Sequence, residues 1–313
     1  MVDERGRDGA GLDRGSVRRA FERAAATYDA AAVLQREVAQ RLAERLGIVR
    51  LQPAVVLDAG CGTGEALGEL RGRYPRARLV GVDLAHAMAL AARRRDLAAE
   101  AGAPSLPRRL LGAFAAAAHE HPLLVCGDVC RLPIRTGGVD LVWSNLALQW
   151  VDDLPLALGE FHRVLRVDGL LSFTTFGPDT LKELRSAFAA ADDAAHLSRF
   201  VDMHDIGDML VHAGFADPVM DMDIITVTYG DAASLMRDLK AIGAQNARVE
   251  RPRGMTGRHK WQRMLAALEG FRRDGRLPAT FEVVYGHAWK PQPRVTDDGR
   301  AIVRFERGGR GRR

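Results

Sequence analysis

The chain has 313 residues, 47% of them hydrophobic and 27% charged, with a formal net charge of +5. That is enough apolar material to bury a full core in one enlarged domain, and the lack of a long apolar run excludes a membrane-spanning helix and a secretory signal. Three cysteines, Cys61, Cys126 and Cys130, are odd in number and fall in predicted core elements, which excludes a disulfide framework.

The charge is unevenly placed. Residues 294 to 313 carry seven arginines against three acids, so most of the excess sits in a Gly/Arg-rich tail. Within the body, Arg248 to Arg276 holds nine basic residues against three acids. Aromatics interleaved for base stacking are nearly absent there, so an acidic protein partner is at least as good a reading of this face as nucleic acid, and a solvated helical face is the third. Residues 1 to 15 are polar and mixed in charge, and the early acids Asp3, Glu4 and Asp8 argue against a transit peptide. A cytoplasmic location is expected, with disorder at 1–15 and 293–313 flanking a domain over 16–292.

Taken in order, Ser16 is placed to cap a helix through Val17, Ala20, Phe21 and Ala24. A second helix carries Leu34, Val38, Leu42 and Leu46 in one stripe until Gly47 stops it. Tyr28 and Gln35 are polar-tipped residues in this apolar setting, and a helix laid over the ends of a sheet would make them the roof of a site.

Behind Pro53 comes a short buried strand, Val55-Val56-Leu57-Asp58, and then Ala59-Gly60-Cys61-Gly62-Thr63-Gly64. Glycines at every second position let the chain turn with no side chain projecting above it, and Glu65 to Tyr74 continues as a helix. A dinucleotide fingerprint would need its third glycine where Glu65 stands. Asp58 would also repel a pyrophosphate, whereas it suits a ligand bearing an ammonium or sulfonium, as S-adenosylmethionine does. Asp83 ends the next strand, nineteen residues after Gly64, and is placed to accept hydrogen bonds from two ribose hydroxyls.

From Pro53 the alternation of strand and helix predicts an α/β fold with a doubly wound, mostly parallel, seven-stranded sheet. The predicted strands are 54–58, 78–83, 123–127, 139–144, 168–176, 219–229 and 279–289, with helices at 65–73, 86–100 and 153–166. Residues 101 to 122 are too long for a connection and read as an insertion with a short helix through Leu110, Phe114 and Ala118. Ligands bind beyond the carboxyl ends of such strands, where Asp58, Asp83, Asp128 and Asn145 all fall. Asp128 could accept from an adenine amino group, with Leu84 and Val129 beside the acids. Later helices are predicted at 178–191, 204–213, 232–242 and 260–273, and two helical insertions, about 178–200 and 232–277, would form a lid over the crevice. Cys126 and Cys130 have no nearby partners for a metal, and no metal site is expected.

Asp58 with Gly60, Cys61, Gly62 and Gly64, followed by Asp83, resembles the first two motifs of the class I S-adenosylmethionine-dependent methyltransferases, with their Rossmann-like fold. The rest of the chain, over about 16 to 291, is similar to one branch: the malonyl-acyl-carrier-protein O-methyltransferases that start pimelate synthesis for biotin (BioC family). The similarity lies in Phe21-Glu22-Arg23-Ala24-Ala25-Ala26-Thr27-Tyr28-Asp29 with Gln35, in Asn145-Leu146-Ala147-Leu148-Gln149-Trp150, and in Thr175 to Arg185. It continues in His196 to Phe200, Gly243 to Asn246 and Ala279 to Trp289. The resemblance implies S-adenosylmethionine as cofactor, malonyl on an acyl-carrier protein as partner and substrate, and esterification of its free carboxylate. Such an anion calls for a cation, for which Arg199 is the first candidate and Arg185 the second. Tyr28, Gln149, Trp150 and Phe176 are the expected pocket walls. Gln35, Leu84, Val129 and Asn145 join the motif residues around the cofactor. A methyltransferase acting on a quinone carbon, or an assembly factor that uses the fold without methyl transfer, would share the cofactor loop.

Overall fold

The computed structural model describes residues 11–101, 120–192, 194, 196–244, 246–251 and 257–293. The insertion helix expected at 110–118, the first ten residues and nearly all of the basic tail lie outside them.

Three helices precede the sheet: α1 (Arg14–Ala24), α2 (Tyr28–Ala31) and α3 (Val33–Leu46). The cap of α1 is Asp13 and not Ser16. The Asp13 carboxylate accepts from Ser16 N at 3.1 Å, and the Ser16 hydroxyl returns a bond to the same side chain at 2.5 Å. An ionised acceptor binds the first free amides more strongly than a hydroxyl, so the helix starts earlier than Ser16 alone predicts.

The strands β1 (Val55–Ala59), β2 (Arg78–Asp83), β3 (Leu123–Cys126), β4 (Val139–Ser144), β5 (Leu165–Phe176), β6 (Ala216–Tyr229) and β7 (Leu277–Trp289) form one sheet in the order β3-β2-β1-β4-β5-β7-β6. The first five run parallel, and β7 inserts antiparallel between β5 and β6. Seven strands, mostly parallel, agree with the expectation. The fifth begins at Leu165 rather than 168, because α6 (Leu154–Val164) passes into it without a loop.

Helices cover both faces, which is why the central strands read as continuous apolar runs. On one face α3, α4 (Glu65–Arg73), α7 (Lys182–Ala189), α9 (Ala232–Ala241) and α10 (Arg258–Glu269) pack around Trp143, Phe281 and Tyr285. On the other, α6 and α8 (Met203–His212) enclose Leu57, Val142, Phe161 and Phe173. α5 (His86–Ala101) runs from β2, and its Met88 meets Ala24 of α1. Leu170, Leu171 and Phe173 of β5 are fully buried, each worth roughly 1.5–3 kcal/mol. The helix expected from Pro178 begins only at Lys182, after Leu181 takes a left-handed φ of +55°. No helix among the described residues is long and apolar enough to cross a membrane.

Candidate active site

Gly60, Gly62 and Gly64 all adopt positive φ, at +83°, +52° and +78°. Their tasks differ. A Cβ on Gly60 would overlap the Ala147 side chain, and one on Gly64 would lie 2.9 Å from the Ala92 Cβ. These two glycines let the loop after β4 and helix α5 close on the turn. A Cβ on Gly62 would meet nothing within 4 Å, so this glycine keeps clear the space where a ligand can lie. The Cys61 side chain points away, against Gly81, and burial with the nearby Asp58 and Asp83 charges pushes its thiol up.

Asp83 holds the turn from the side. Its Oδ2 accepts from Gly62 N at 2.9 Å and its Oδ1 from Ala85 N at 2.8 Å, leaving a lone pair on each oxygen. Burial raises its carboxyl to about 6 against the pull of those two amides. Asp58 is 2% exposed, and its Oδ2 has no partner among the described residues. Burial first, and the Asp83 charge second, push Asp58 to about 8. Nearby, the buried Gln35 Oε1 is also unpartnered among the described residues. Unanswered acceptors of one sign create a strong local preference for a cationic ligand.

The N-terminal helices roof this turn through contacts that sequence patterning missed. Glu22 of α1 accepts from His86 N at 2.8 Å and Ala87 N at 2.9 Å, capping α5 from outside it. Asp29 of α2 accepts from the Thr63 hydroxyl at 2.6 Å and pairs with Arg95 at 2.6 Å. Glu22 and Asp29 both lie in the Phe21 to Asp29 string; the acids in that string were the available signal. Asn145 is a strut: its Nδ2 donates to Gln35 O at 3.0 Å, and its Oδ1 accepts from Thr174 Oγ1 at 2.8 Å.

Beneath the roof lies a cavity of about 510 Å³ whose walls include Tyr28, Asp83, Leu84, Val129 and Trp150. Gly60, Gly62, Asp128 and Asn145 also border it. Asp128 is already engaged there, pairing with Arg14 at 2.7 Å and accepting from Cys130 N at 3.0 Å. A smaller pocket of about 50 Å³ holds Gln35, Asp58 and Cys61 against Tyr28. A third, of about 320 Å³, is apolar and walled by Phe176, Leu184, Phe188, Phe200 and Ile242. Trp150 borders both large cavities, with its ring edge-on to Phe21 at 5.4 Å. Burial and the charges of Asp83 and Asp29 push the Tyr28 hydroxyl up, so it stays protonated and able to donate.

Three expected site residues are not brought to these walls. Gln149 turns into its own loop, with Nε2 donating to Leu146 O at 2.7 Å. The Arg185 guanidinium is spent on the carbonyls of Pro178 at 2.8 Å and Thr180 at 3.1 Å, fastening the loop before α7. Arg199 lies between Ser198 and Phe200, which border the apolar cavity, but is itself exposed and is not part of that wall.

Residues 57–173 match a family described as Methyltransferase domain. In fold the chain is similar to the crystal structure of the YcgJ protein from Bacillus subtilis, with a TM-score of 0.53 and 15% identity, over 81% of this chain and 99% of that one. In sequence it is 56% identical to the malonyl-acyl-carrier-protein O-methyltransferase of Laribacter hongkongensis (strain HLHK9), over 94% of this chain and 96% of that protein. It is 52% identical to the protein of the same name from Gallionella capsiferriformans (strain ES-2), over 94% and 96%. At that identity and coverage, with the glycine turn and both acids in place, the chain belongs to the malonyl-acyl-carrier-protein O-methyltransferase family.

Proposed function

We propose that the chain transfers a methyl group from S-adenosylmethionine to the free carboxylate of malonyl held on an acyl-carrier protein, giving the malonyl methyl ester. The observation that carries this reading is the buried Asp58 carboxylate, raised to about 8 at the foot of a turn cleared of side chains. A phosphate would add charge of the same sign; an ammonium or sulfonium answers it. The other residues fit the same group. Gln35 Oε1 offers a second buried acceptor, Asp83 keeps lone pairs for ribose hydroxyls, and Leu84 and Val129 give apolar walls for a base beside Asp128. When bound, S-adenosylmethionine supplies a methyl group on a cationic sulfur.

The names of the relatives supply the substrate class. A malonyl carboxylate is already ionised at neutral pH, so no general base has to remove a proton. The chain's own work is to orient that anion and keep water from it. Trp150 stands where the two large cavities meet, Phe176 forms the far wall, and the Tyr28 hydroxyl can donate to a carboxylate there. Helices α7, α9 and α10 serve as the lid, and the exposed bases of α10 draw in an acidic carrier.

The test is the intact mass of malonyl carrier protein after incubation with the chain and S-adenosylmethionine. One added methylene, lost on saponification, is the expected result. An unchanged mass with bound S-adenosylmethionine overturns the substrate.

A further inference from the structure

The proposed substrate is an anion in an apolar cavity, yet both arginines expected to hold it lie elsewhere. Among the described residues bordering that cavity, the basic side chains are His196 and Lys240. His196 is committed: its Nε2 meets Asp192 Oδ1 at 2.6 Å and its ring stacks on Phe188 at 4.2 Å. Lys240, exposed on the last turn of α9 at the border of the cavity, pairs with no acid among the described residues.

The chain path places this lysine near the junction of the two cavities. The carbonyl of the next residue, Ala241, accepts from Thr27 Oγ1 at 3.1 Å, and Thr27 directly precedes Tyr28. Two residues further on, Gly243 takes φ +74°, and a Cβ there would lie 3.1 Å from the Phe21 ring. Phe21 is the ring that Trp150 meets edge-on and that tilts against Tyr28 at 6.5 Å. The end of α9 is thus pressed against the cluster that divides the cofactor cavity from the apolar one.

We infer that Lys240 holds the free carboxylate of the acyl substrate at this junction, an inference that rests on the function proposed above. Lys240 is exposed in the free protein, and its ammonium gains most when an entering acyl anion covers it and excludes water from the border of the cavity. The phosphate of a carrier arm is the other anion available, but it is separated from the carboxylate by the length of the arm and belongs away from the junction. Lys240 also discriminates between substrate and product. Methylation turns the bound anion into a neutral ester, which the ammonium no longer attracts, so the product is released while the next carboxylate is retained.

Lys240→Met, Lys240→Gln and Lys240→Arg variants, checked for unchanged melting and unchanged S-adenosylmethionine affinity, test this on two substrates: malonyl carrier protein and malonyl-pantetheine, which has no phosphate. The expected result is a loss of about tenfold or more in kcat/KM on both substrates for the Met and Gln variants. Arg should restore most of it, and inhibition by the methyl ester should be unchanged in all three. Wild-type kcat/KM in the Met and Gln variants overturns the inference and leaves the proposed function standing. A loss confined to the carrier-bound substrate also overturns it, since the anion held is then on the arm or the carrier. Wild-type protein inert on both substrates removes the proposed function, and this inference with it.

Discussion

Asp58 and Asp83 stand at the carboxyl ends of neighbouring parallel strands, and the charge of the second adds to burial in raising the carboxyl of the first to about 8. In the ligand-free protein, each acid keeps a proton over a range where the unfolded chain has lost it. The pair's contribution to stability is therefore fully present below about pH 4 and is lost as pH rises, through about 6 for Asp83 and about 8 for Asp58. A cationic ligand selects the ionised acid. Binding of S-adenosylmethionine at pH 7 is expected to release most of one proton, and its affinity to weaken as pH falls below 8. Titration calorimetry in two buffers of different ionisation enthalpy reads this directly, and equal heats in both would count against the pairing.

Replacing Asp58 by Asn separates ligand from fold. The amide carries no charge to bury, so the ligand-free variant should melt higher than wild type at pH 8, by about 2–4 °C for each kcal/mol gained. Affinity for S-adenosylmethionine should fall about tenfold or more, because a charge-assisted contact becomes a neutral one. A variant that binds as well as wild type removes Asp58 from the site.

The glycines make a sharper pair. Gly60→Ala adds a methyl into the Ala147 side chain at φ +83°, so it should destabilise the fold by several kcal/mol or prevent folding. Gly62→Ala meets no protein atom and should cost only about 1–2 kcal/mol for its left-handed backbone. Its methyl occupies the ligand's space instead, so the variant should melt only about 2–8 °C below wild type and fail to bind. Thermal melts alongside calorimetry distinguish the two.

The fold, and the gathering of polar residues around the glycine turn, were legible because they depend on local pattern: apolar runs, alternate glycines and a polar residue at each strand end. Asp58, Asp83, Leu84 and Val129 lie where that pattern puts them. The placement of Gln149, Arg185 and Arg199 was not legible. Whether Arg185 faces a cavity or two carbonyls depends on the left-handed turn at Leu181, and the place of Lys240 at the wall depends on how the end of α9 seats on Phe21. Such long-range packing leaves no period in the sequence. The Ser16 cap failed for a local reason, since Asp13 three residues earlier is the stronger acceptor.

Arg185 should therefore behave as a structural residue. In Arg185→Gln the carbonyls of Pro178 and Thr180 lose their donors, and a stability loss of about 1–3 kcal/mol is expected in denaturant melts. At a temperature where the variant is folded, KM for malonyl carrier protein should match wild type. A raised KM with unchanged stability would restore Arg185 to the substrate.

The remaining prediction concerns the carrier. Lys260 of α10 pairs with Asp192 at 3.1 Å and Arg263 donates to Ala191 O at 2.6 Å, so the exposed basic face of this helix stands beside the segment that borders the apolar cavity. Attraction between that face and an acidic carrier acts over about 10 Å at 0.1 M salt and shrinks as salt rises. Between 50 and 500 mM salt, kcat/KM for malonyl carrier protein is expected to fall by about tenfold, mostly through slower encounter. Malonyl-pantetheine shares the reacting carboxylate but has no carrier surface, so its kcat/KM should change much less. The ratio of the two slopes isolates the carrier contact, and charge reversal at exposed Arg258 should flatten only the first. Equal slopes would mean that the carrier docks on some other face and that the bases of α10 serve solvation alone.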